Sequence, residues 1–452
     1  MIARPLAALL EKYDVPVPRY TSYPAVPHWQ GTPTPEQWFG AIDAALTPET
    51  ASLAVYVHLP FCEVLCTFCG CNTVITRNHE RSEPYVDIVL KELDTYLAHV
   101  PALHRRPVSQ IHLGGGTPTF MPPEVLARLL QGIATRIPLR AAGYEGSVEV
   151  DPRVTTGGHL ESMRANGISR ISLGVQDFDH EVLRLVNRPQ PLAMTENLCR
   201  LARESGYDSI NFDLIYGLPG QSPETMARLA DAVLELRPDR LAVYSFARVP
   251  WIKPAQRKFR DEDLPAGAEK RRLYEGLRDR LLAAGYREIG MDHFALPHDA
   301  LAVAARDGSL HRNFMGYTDR RTTALLGLGV SAISETPACY HQNEKVITVY
   351  ERRVADGEIP TLRGHLLSAE DARRADRIRA LMTTGRAQLD AGDAADARVH
   401  LAELVADGLV EIDDHEVRMT PESKPFLRNV AAFFDTYLRT TTPEGPAYSR
   451  AI

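Results

Sequence analysis

Six short runs rich in β-branched residues, separated by stretches of helical periodicity, constrain the fold of this chain more than any other feature. The runs are "LAVYVHL" (53–59), "QIHLGGG" (110–116), "SVEVDP" (147–152), "RISLGVQ" (170–176), "SINFDLIYGLP" (209–219) and "RLAVYSF" (240–246). Residues 82–98, 122–135, 190–205, 222–236 and 266–284 carry apolar side chains at helical spacing between and after them. Strands that alternate with helices pair in parallel, because each parallel crossover needs a helix to return the chain. The spacing therefore predicts an α/β fold with a parallel sheet, wholly or partly closed into a barrel.

The ends of these runs are polar. In order they bring His58 and a cysteine group, Gly114 to Thr117, Glu149 and Asp151, Gln176 and Asp177, and Asp213. Successive parallel strands put such groups on one rim, where barrel enzymes build their sites. Strand-end carboxylates also cap the following helices, and this competing role applies to Asp151 and Asp177 in particular.

Residues 1–50 include the Pro- and Tyr-rich "RYTSYPAVPHW" and read as an irregular arm. Residues 51–300 hold the barrel, 301–363 extend it on the substrate side, and the Ala- and Arg-rich 364–452 read as a mostly helical module with one short hairpin, resembling a winged helix. The formal charge is -7, and that module has no basic helix, which argues against a nucleic-acid partner. The apolar stretch near the N-terminus is too short for a secretion signal, and no run approaches the length of a membrane span. A cytoplasmic location follows as the expectation, where a tight group of thiols more often means metal than disulfide.

Four of the six cysteines lie within "CEVLCTFCGC" (62–71), while Cys199 and Cys339 stand alone. Cys62, Cys66 and Cys69 form C-x3-C-x2-C. Structural zinc wants four ligands, usually as two separated pairs, and the chain offers no second pair. Three thiolates in one loop suit a cubane of four irons instead, with one iron left without a protein ligand. Cys71 is a spare thiol, with packing and function both open to it.

"YVHLPFCEVLCTFCGC" directly after a first strand resembles the cysteine loop of the radical S-adenosylmethionine enzymes. "RYTSYP", "HLGGGTPT", "EVDPR", "SLGVQDF", "LVNRPQ", "DLIYGLPGQ", "AQRKF", "GMDHFA", "LHRNF.GYT", "GVSAIS" and "FDTYLR" then run in order along the chain. Together they are similar to the oxygen-independent coproporphyrinogen III oxidases, which decarboxylate the ring A and ring B propionates of coproporphyrinogen III to vinyl groups, giving protoporphyrinogen IX. The resemblance implies a (β/α)6 partial barrel with an N-terminal arm and a C-terminal mostly helical domain, in a monomer. It also implies one [4Fe-4S] cluster on Cys62, Cys66 and Cys69, two molecules of S-adenosylmethionine, and a small electron-transfer protein as reductant.

Carried over motif by motif, Tyr56, Glu149 and Ile333 contact the cofactor molecule on the cluster. Phe68, Gly115, Gly116, Thr117, Gln176, Arg188, Asp213 and Ala247 contact the second, and Tyr56, His58, Cys71, Glu149 and Phe314 are the catalytic candidates. The chemistry suits these roles: carboxylates accept from ribose hydroxyls or an amino group, Gln176 can bond an adenine or carboxylate edge, and the Arg188 fork can grip a carboxylate. For the substrate's four propionates, Arg19, His58, Arg248, Arg312 and Arg320 are the cationic candidates.

The pattern departs from the family after Phe314. Met315 stands where those oxidases have Gln, and "TDRRTTALLG" (318–327) replaces "TTQGDTDLLG". A thioether cannot donate an amide's hydrogen bond. Arg320 and Arg321 are the candidates to compensate. Two other readings stand beside the oxidase: a related enzyme using the same radical on another tetrapyrrole, for methyl transfer or for cyclopropane formation, and a haem chaperone.

Overall fold

The computed structural model describes residues 6–137, 141–440 and 448–450. The arm's first five residues and the tail segments 441–447 and 451–452 lie outside the described residues. Six strands form a continuous parallel array: β1 (Leu53–Leu59), β2 (Val108–Gly115), β3 (Glu145–Val150), β4 (Arg170–Gln176), β5 (Ser209–Tyr216) and β6 (Arg240–Ser245). Helices Ser82–His99, Pro123–Arg136, Gly157–Ala165, Leu192–Glu204 and Pro223–Leu236 cross between or follow them, and Gly267–Ala283 comes after β6. Local chemistry fixes the starts of two of them, Gly157–Ala165 and Pro223–Leu236, with capping boxes. Ser222 and Thr225 cap each other at the head of Pro223–Leu236, with Pro in its first turn.

The sheet continues past both ends of this array. The "REIGMDHFALP" stretch is two short strands, β7 (Arg287–Ile289) and β8 (His293–Ala295), added antiparallel beyond β6. On the far side of β1 lies β9 (Ala324–Leu328), a seventh parallel strand, followed by β10 (Ile333–Glu335), β11 (Cys339–Asn343) and β12 (Thr361–Leu366). The 12-stranded order β12-β11-β10-β9-β1-β2-β3-β4-β5-β6-β8-β7 does not close on itself, so the barrel is partial.

The largest core lies between the strands' outer faces and the surrounding helices, with Val55, Val57, Ile111, Leu113, Val148, Leu173 and Phe212 among its buried residues. The inner face is polar: Gln110, His112, Ser147, Glu149, Arg170, Ser172, Asn211, Asp213 and Arg240 look into the barrel. At the N-terminal ends of the strands Arg170 pairs with Glu145 at 2.8 Å and Arg240 with Asp299 at 2.5 Å. The Glu145 carboxyl, pushed up by burial but drawn down further by Arg170, titrates at about 2.

The N-terminal arm is less irregular than its composition suggests. It contains helices Leu6–Tyr13 and Pro35–Leu46, the second started by a Thr34–Gln37 capping box with Pro at its first position. The two helices belong to different cores. Trp38, Ile42 and Leu46 join the barrel core, whereas Leu9, Leu10, Tyr13, Tyr20 and Tyr23 join a second core built from Ala375 to Phe434. That second core carries helices Ala369–Thr384 and Ala391–His400 and a three-stranded antiparallel sheet of Arg386–Gln388, Val410–Ile412 and Glu416–Met419. Among the described residues no helix is long and apolar enough to cross a membrane.

Candidate active site

Parallel pairing delivers the strand ends to one mouth, where a cavity of about 330 Å³ opens. Cys62, Cys66, Cys69 and Cys71 line it, together with Phe68, Gly115, Gly116, Thr117, Glu149, Gln176, Arg188 and Asp213. Twelve of the residues singled out from the sequence thus meet in one place. Tyr56, His58, Phe314, Ile333 and Ala247 are not among the residues that line it.

The cysteine loop is clamped to the end of β2 through backbone. Gly116 N–H donates to Leu59 O at 2.8 Å and Thr117 N–H to Phe61 O at 2.9 Å. A Cβ on Gly116 would lie 2.5 Å from Pro60 O, so only glycine permits this approach. Cys62 Sγ lies 3.2 Å from the Thr117 hydroxyl. Cys66 Sγ accepts from Arg188 at 3.5 Å and from Arg153 at 3.6 Å, and Asp151 pairs with both guanidinium groups, at 3.1 and 2.7 Å. Asp151 therefore faces the cavity. Asp177 does not: it accepts from Phe178 and Asp179 N–H and from Gln221, while the cap of the following helix is Asp179.

Tyr56, His58 and Asn72 form a hydrogen-bonded chain. His58 Nε2 lies 2.9 Å from Asn72 O, an acceptor only, so the proton sits on Nε2 and Nδ1 accepts from the Tyr56 hydroxyl at 3.0 Å. Burial holds this imidazole below its ordinary value, in keeping with a neutral ring. Glu149 Oε2 accepts from Gly115 N–H at 3.2 Å, and Oε1 lies 3.5 Å from His112 Nε2. Burial pushes the Glu149 carboxyl up, but His112 and the Gly115 N–H more than offset this and hold it below the usual range. Asp213 accepts from Ser172 and Asn211, both at 2.9 Å; burial and the charge of Glu149 raise it to about 6. Two carboxylates at one mouth are thus tuned apart.

Gln176 takes a positive φ of 70° at the end of β4, beside a shift in the β4–β5 register. Non-glycine residues hold such a conformation only when their surroundings enforce it, commonly at sites. Phe68 and Ala247 are joined by a residue that sequence reasoning passed over. Buried Gln256 donates to Phe68 O at 3.2 Å and to Ala247 O at 3.3 Å, tying the Pro-broken stretch after β6 to the cysteine loop. Arg153 was likewise passed over, although its place two residues after a strand-end Asp was a usable signal. Ile333 packs its backbone against Gly327, which pairs with Tyr56. Phe314 sits edge-on to Trp29 and Tyr340, at 5.9 and 5.5 Å.

The cationic candidates are mostly engaged elsewhere. Arg19 pairs with Asp292, Arg312 donates to Tyr20 O and Arg19 O, and Arg248 holds Phe259 O and Asp261. Arg320 lies by Gly143, just before β3, and Arg321 lines a separate cavity with Ser52 and Thr323, at the N-terminal ends of β1 and β9. Met315 lines the barrel cavity, and neither arginine is among the residues that line it with Met315.

Comparison with known proteins agrees with this arrangement. The radical SAM superfamily model matches residues 56–233. The chain is 42% identical over 443 residues to the oxygen-independent coproporphyrinogen III oxidase of Escherichia coli (strain K12), covering 96% of this chain and 95% of that one. It is 39% identical to the Pseudomonas aeruginosa protein of the same name, covering 99% and 98%. The solved structure of the Escherichia coli coproporphyrinogen III oxidase, described as a radical SAM enzyme, superposes with a TM-score of 0.88 at 40% identity, over 96% of this chain and 99% of that one.

A parallel partial barrel with this cysteine loop at its mouth makes the chain a radical SAM enzyme. Within that superfamily it belongs to the oxygen-independent coproporphyrinogen III oxidase family.

Membership brings a [4Fe-4S] cluster and S-adenosylmethionine. Among the described residues no three Cys, His, Asp or Glu groups converge as they would on a single ion. A cubane makes no such demand, since it presents a separate iron to each thiolate and its ligands stand apart. Three soft donors on one cavity wall fit it. The buried Nε of Arg188, without a partner, and the carboxylates and amide around the same cavity fit a zwitterionic nucleoside.

Proposed function

We propose that this chain converts the ring A and ring B propionates of coproporphyrinogen III to vinyl groups, giving protoporphyrinogen IX. The observation that carries the reading is the meeting of three thiols, the glycine end of β2 and Glu149 at the mouth of a polar-lined parallel barrel. Each turnover removes one hydrogen atom from the propionate carbon next to the ring, then CO2, and leaves one electron for an acceptor.

The cluster on Cys62, Cys66 and Cys69, with two molecules of S-adenosylmethionine, supplies when bound a 5'-deoxyadenosyl radical that takes the hydrogen atom. The chain's own residues bind and orient. Glu149, ionised, suits the amino group or ribose hydroxyls of the molecule nearest the cluster, and Tyr56 and Ile333 lie on the same side. Asp213, Gln176, Arg188, Phe68, Ala247 and the 115–117 backbone suit the second. The Tyr56–His58–Asn72 chain fixes a neutral imidazole against the backbone of the residue that follows Cys71, where a proton can be held. Phe314 and its aromatic neighbours exclude water from the approach. In this reading the protein works as a cytoplasmic monomer, takes electrons from a small electron-transfer protein and needs no nucleic acid.

Anaerobic turnover of the reconstituted protein with coproporphyrinogen III tests the reading by mass spectrometry. The expected product has lost two CO2, with one 5'-deoxyadenosine formed per vinyl group. Intact substrate, or substrate gaining a methyl group, overturns it.

A further inference from the structure

With Arg19, Arg248, Arg312, Arg320 and Arg321 engaged or remote, three cations that the sequence did not single out stand beside the cysteine loop and Trp29. Lys253 donates to Cys71 O at 2.8 Å, and the Lys345 backbone carbonyl accepts from Asn72 at 3.1 Å. Arg363 donates to Gln342 Oε1 at 2.8 Å and lies over the Trp29 ring at 5.9 Å. Among the described residues none of the three has a carboxylate at ion-pair distance, and the carboxylate of neighbouring Glu344 is occupied by the Lys345 and Val346 N–H groups. They also feel one another: after burial, the charges of Arg363 and Lys253 are what hold the Lys345 ammonium below its ordinary value. Glu344 offsets this only in part, and like charges gathered with so little counter-charge are a cost that an anionic ligand removes.

Sheet register places this group relative to the chemistry. Tyr56 pairs with Gly327, Gly327 abuts Ile333, Ile333 pairs with Gln342, and Gln342 with Arg363. Residues in one register row share a face, so this row carries the site's inner face outward from Tyr56 by four strand spacings, roughly 19 Å along the sheet. Beside it stand half-buried Trp29, stacked on Tyr340 at 5.4 Å, and Phe314. An aromatic floor with cations along one edge is the complement of a flat apolar macrocycle bearing carboxylates on flexible arms.

We propose that Lys253, Lys345 and Arg363 bind the carboxylates of the propionates not undergoing reaction, with Trp29 and Phe314 against the macrocycle. The inference rests on the function proposed above. It adds a consequence: each decarboxylation removes one carboxylate, so the intermediate with three is held more tightly than the product with two, which favours completing the second reaction before release.

The test is anaerobic steady-state kinetics of the reconstituted protein with coproporphyrinogen III and dithionite, which needs no protein reductant. Lys345→Gln and Arg363→Gln are each expected to raise KM about tenfold with kcat retained and the salt dependence of KM weakened, and Lys345→Arg and Arg363→Lys to recover most of the loss. Iron content equal to wild type separates lost recognition from a misfolded loop. A KM unchanged in the Lys253→Gln, Lys345→Gln, Arg363→Gln triple variant overturns the carboxylate edge. So does a defect seen only when an acidic electron-transfer protein replaces dithionite, which assigns the edge to the reductant. Wild-type protein that leaves coproporphyrinogen intact overturns the functional reading itself.

Discussion

Glu92 is a carboxyl in the barrel core whose three partners are all neutral donors: Gly329 N–H at 2.8 Å, Tyr350 OH at 2.7 Å and the Asn343 amide at 2.6 Å. It ties helix Ser82–His99 to the turn after β9. Burial pushes its titration up from 4.5 to about 7, the hydrogen bonds offsetting only part. A carboxyl whose folded value is raised keeps its proton in the native state while the unfolded chain has lost it. Stability is therefore full below about 4.5 and declines as pH rises toward about 7. Replacing Glu92 by Gln removes this dependence. Urea denaturation is expected to show the variant gaining about 3 kcal/mol on wild type between pH 4.5 and pH 8; parallel curves would place the titration elsewhere. The thiols make a second prediction on this scale. Cys62→Ser, Cys66→Ser and Cys69→Ser should each lose iron, sulfide and visible absorbance after anaerobic reconstitution. Cys71→Ser should keep all three signals and lose turnover.

The joint between β2 and the cysteine loop is decided at the scale of elements. Gly116→Ala puts a methyl group against backbone, Pro60 O at 2.5 Å and Pro60 C at 2.6 Å, which cannot rotate away as a side chain can. The loop must lift. The expected result is a loss of about 1–3 kcal/mol in stability and poor iron retention, measured by thermal unfolding and metal analysis. Gly132→Ala is the control, since the nearest atoms to its Cβ belong to the Leu90 side chain, which can rotate, rather than to backbone. Legibility also divides by element. β1 and β4 were readable residue for residue, because an apolar β-branched run bounded by polar groups has few other solutions. Once the sheet was parallel, the rim of Glu149, Gln176 and Asp213 followed. β9 was not readable: "ALLGL" has no β-branched residue, and its pairing joins segments as far apart as Ser52 and Thr323. The spent cations were hidden for the same reason, since Asp292, which occupies Arg19, lies 273 positions away.

On the scale of the molecule, the N-terminal arm and the C-terminal region are packed into one core. Leu9, Leu10, Tyr13, Tyr20 and Tyr23 are all buried among residues 375–434. Polar bonds repeat the connection: Tyr13 OH donates to Asp407 at 2.7 Å, Asn429 to Tyr13 O at 2.8 Å and Arg428 to Pro18 O at 3.0 Å. The same arm runs on to Trp29, beside the mouth, and to Trp38 in the barrel core. It therefore couples the C-terminal core to the site as a structural strand of both. Five buried apolar side chains are worth about 10 kcal/mol at roughly 2 kcal/mol each, comparable to the whole stability of a domain. A chain lacking residues 1–24 should thus expose the second core. Limited proteolysis is expected to cut it first between 364 and 440, leaving a barrel fragment resistant, while in the full chain both regions are protected. Adding the 1–24 peptide back should restore protection of the C-terminal region if complementarity alone holds it. Protection of 364–440 in the truncated chain without the peptide would show instead that this region folds by itself and that the arm only rests on it.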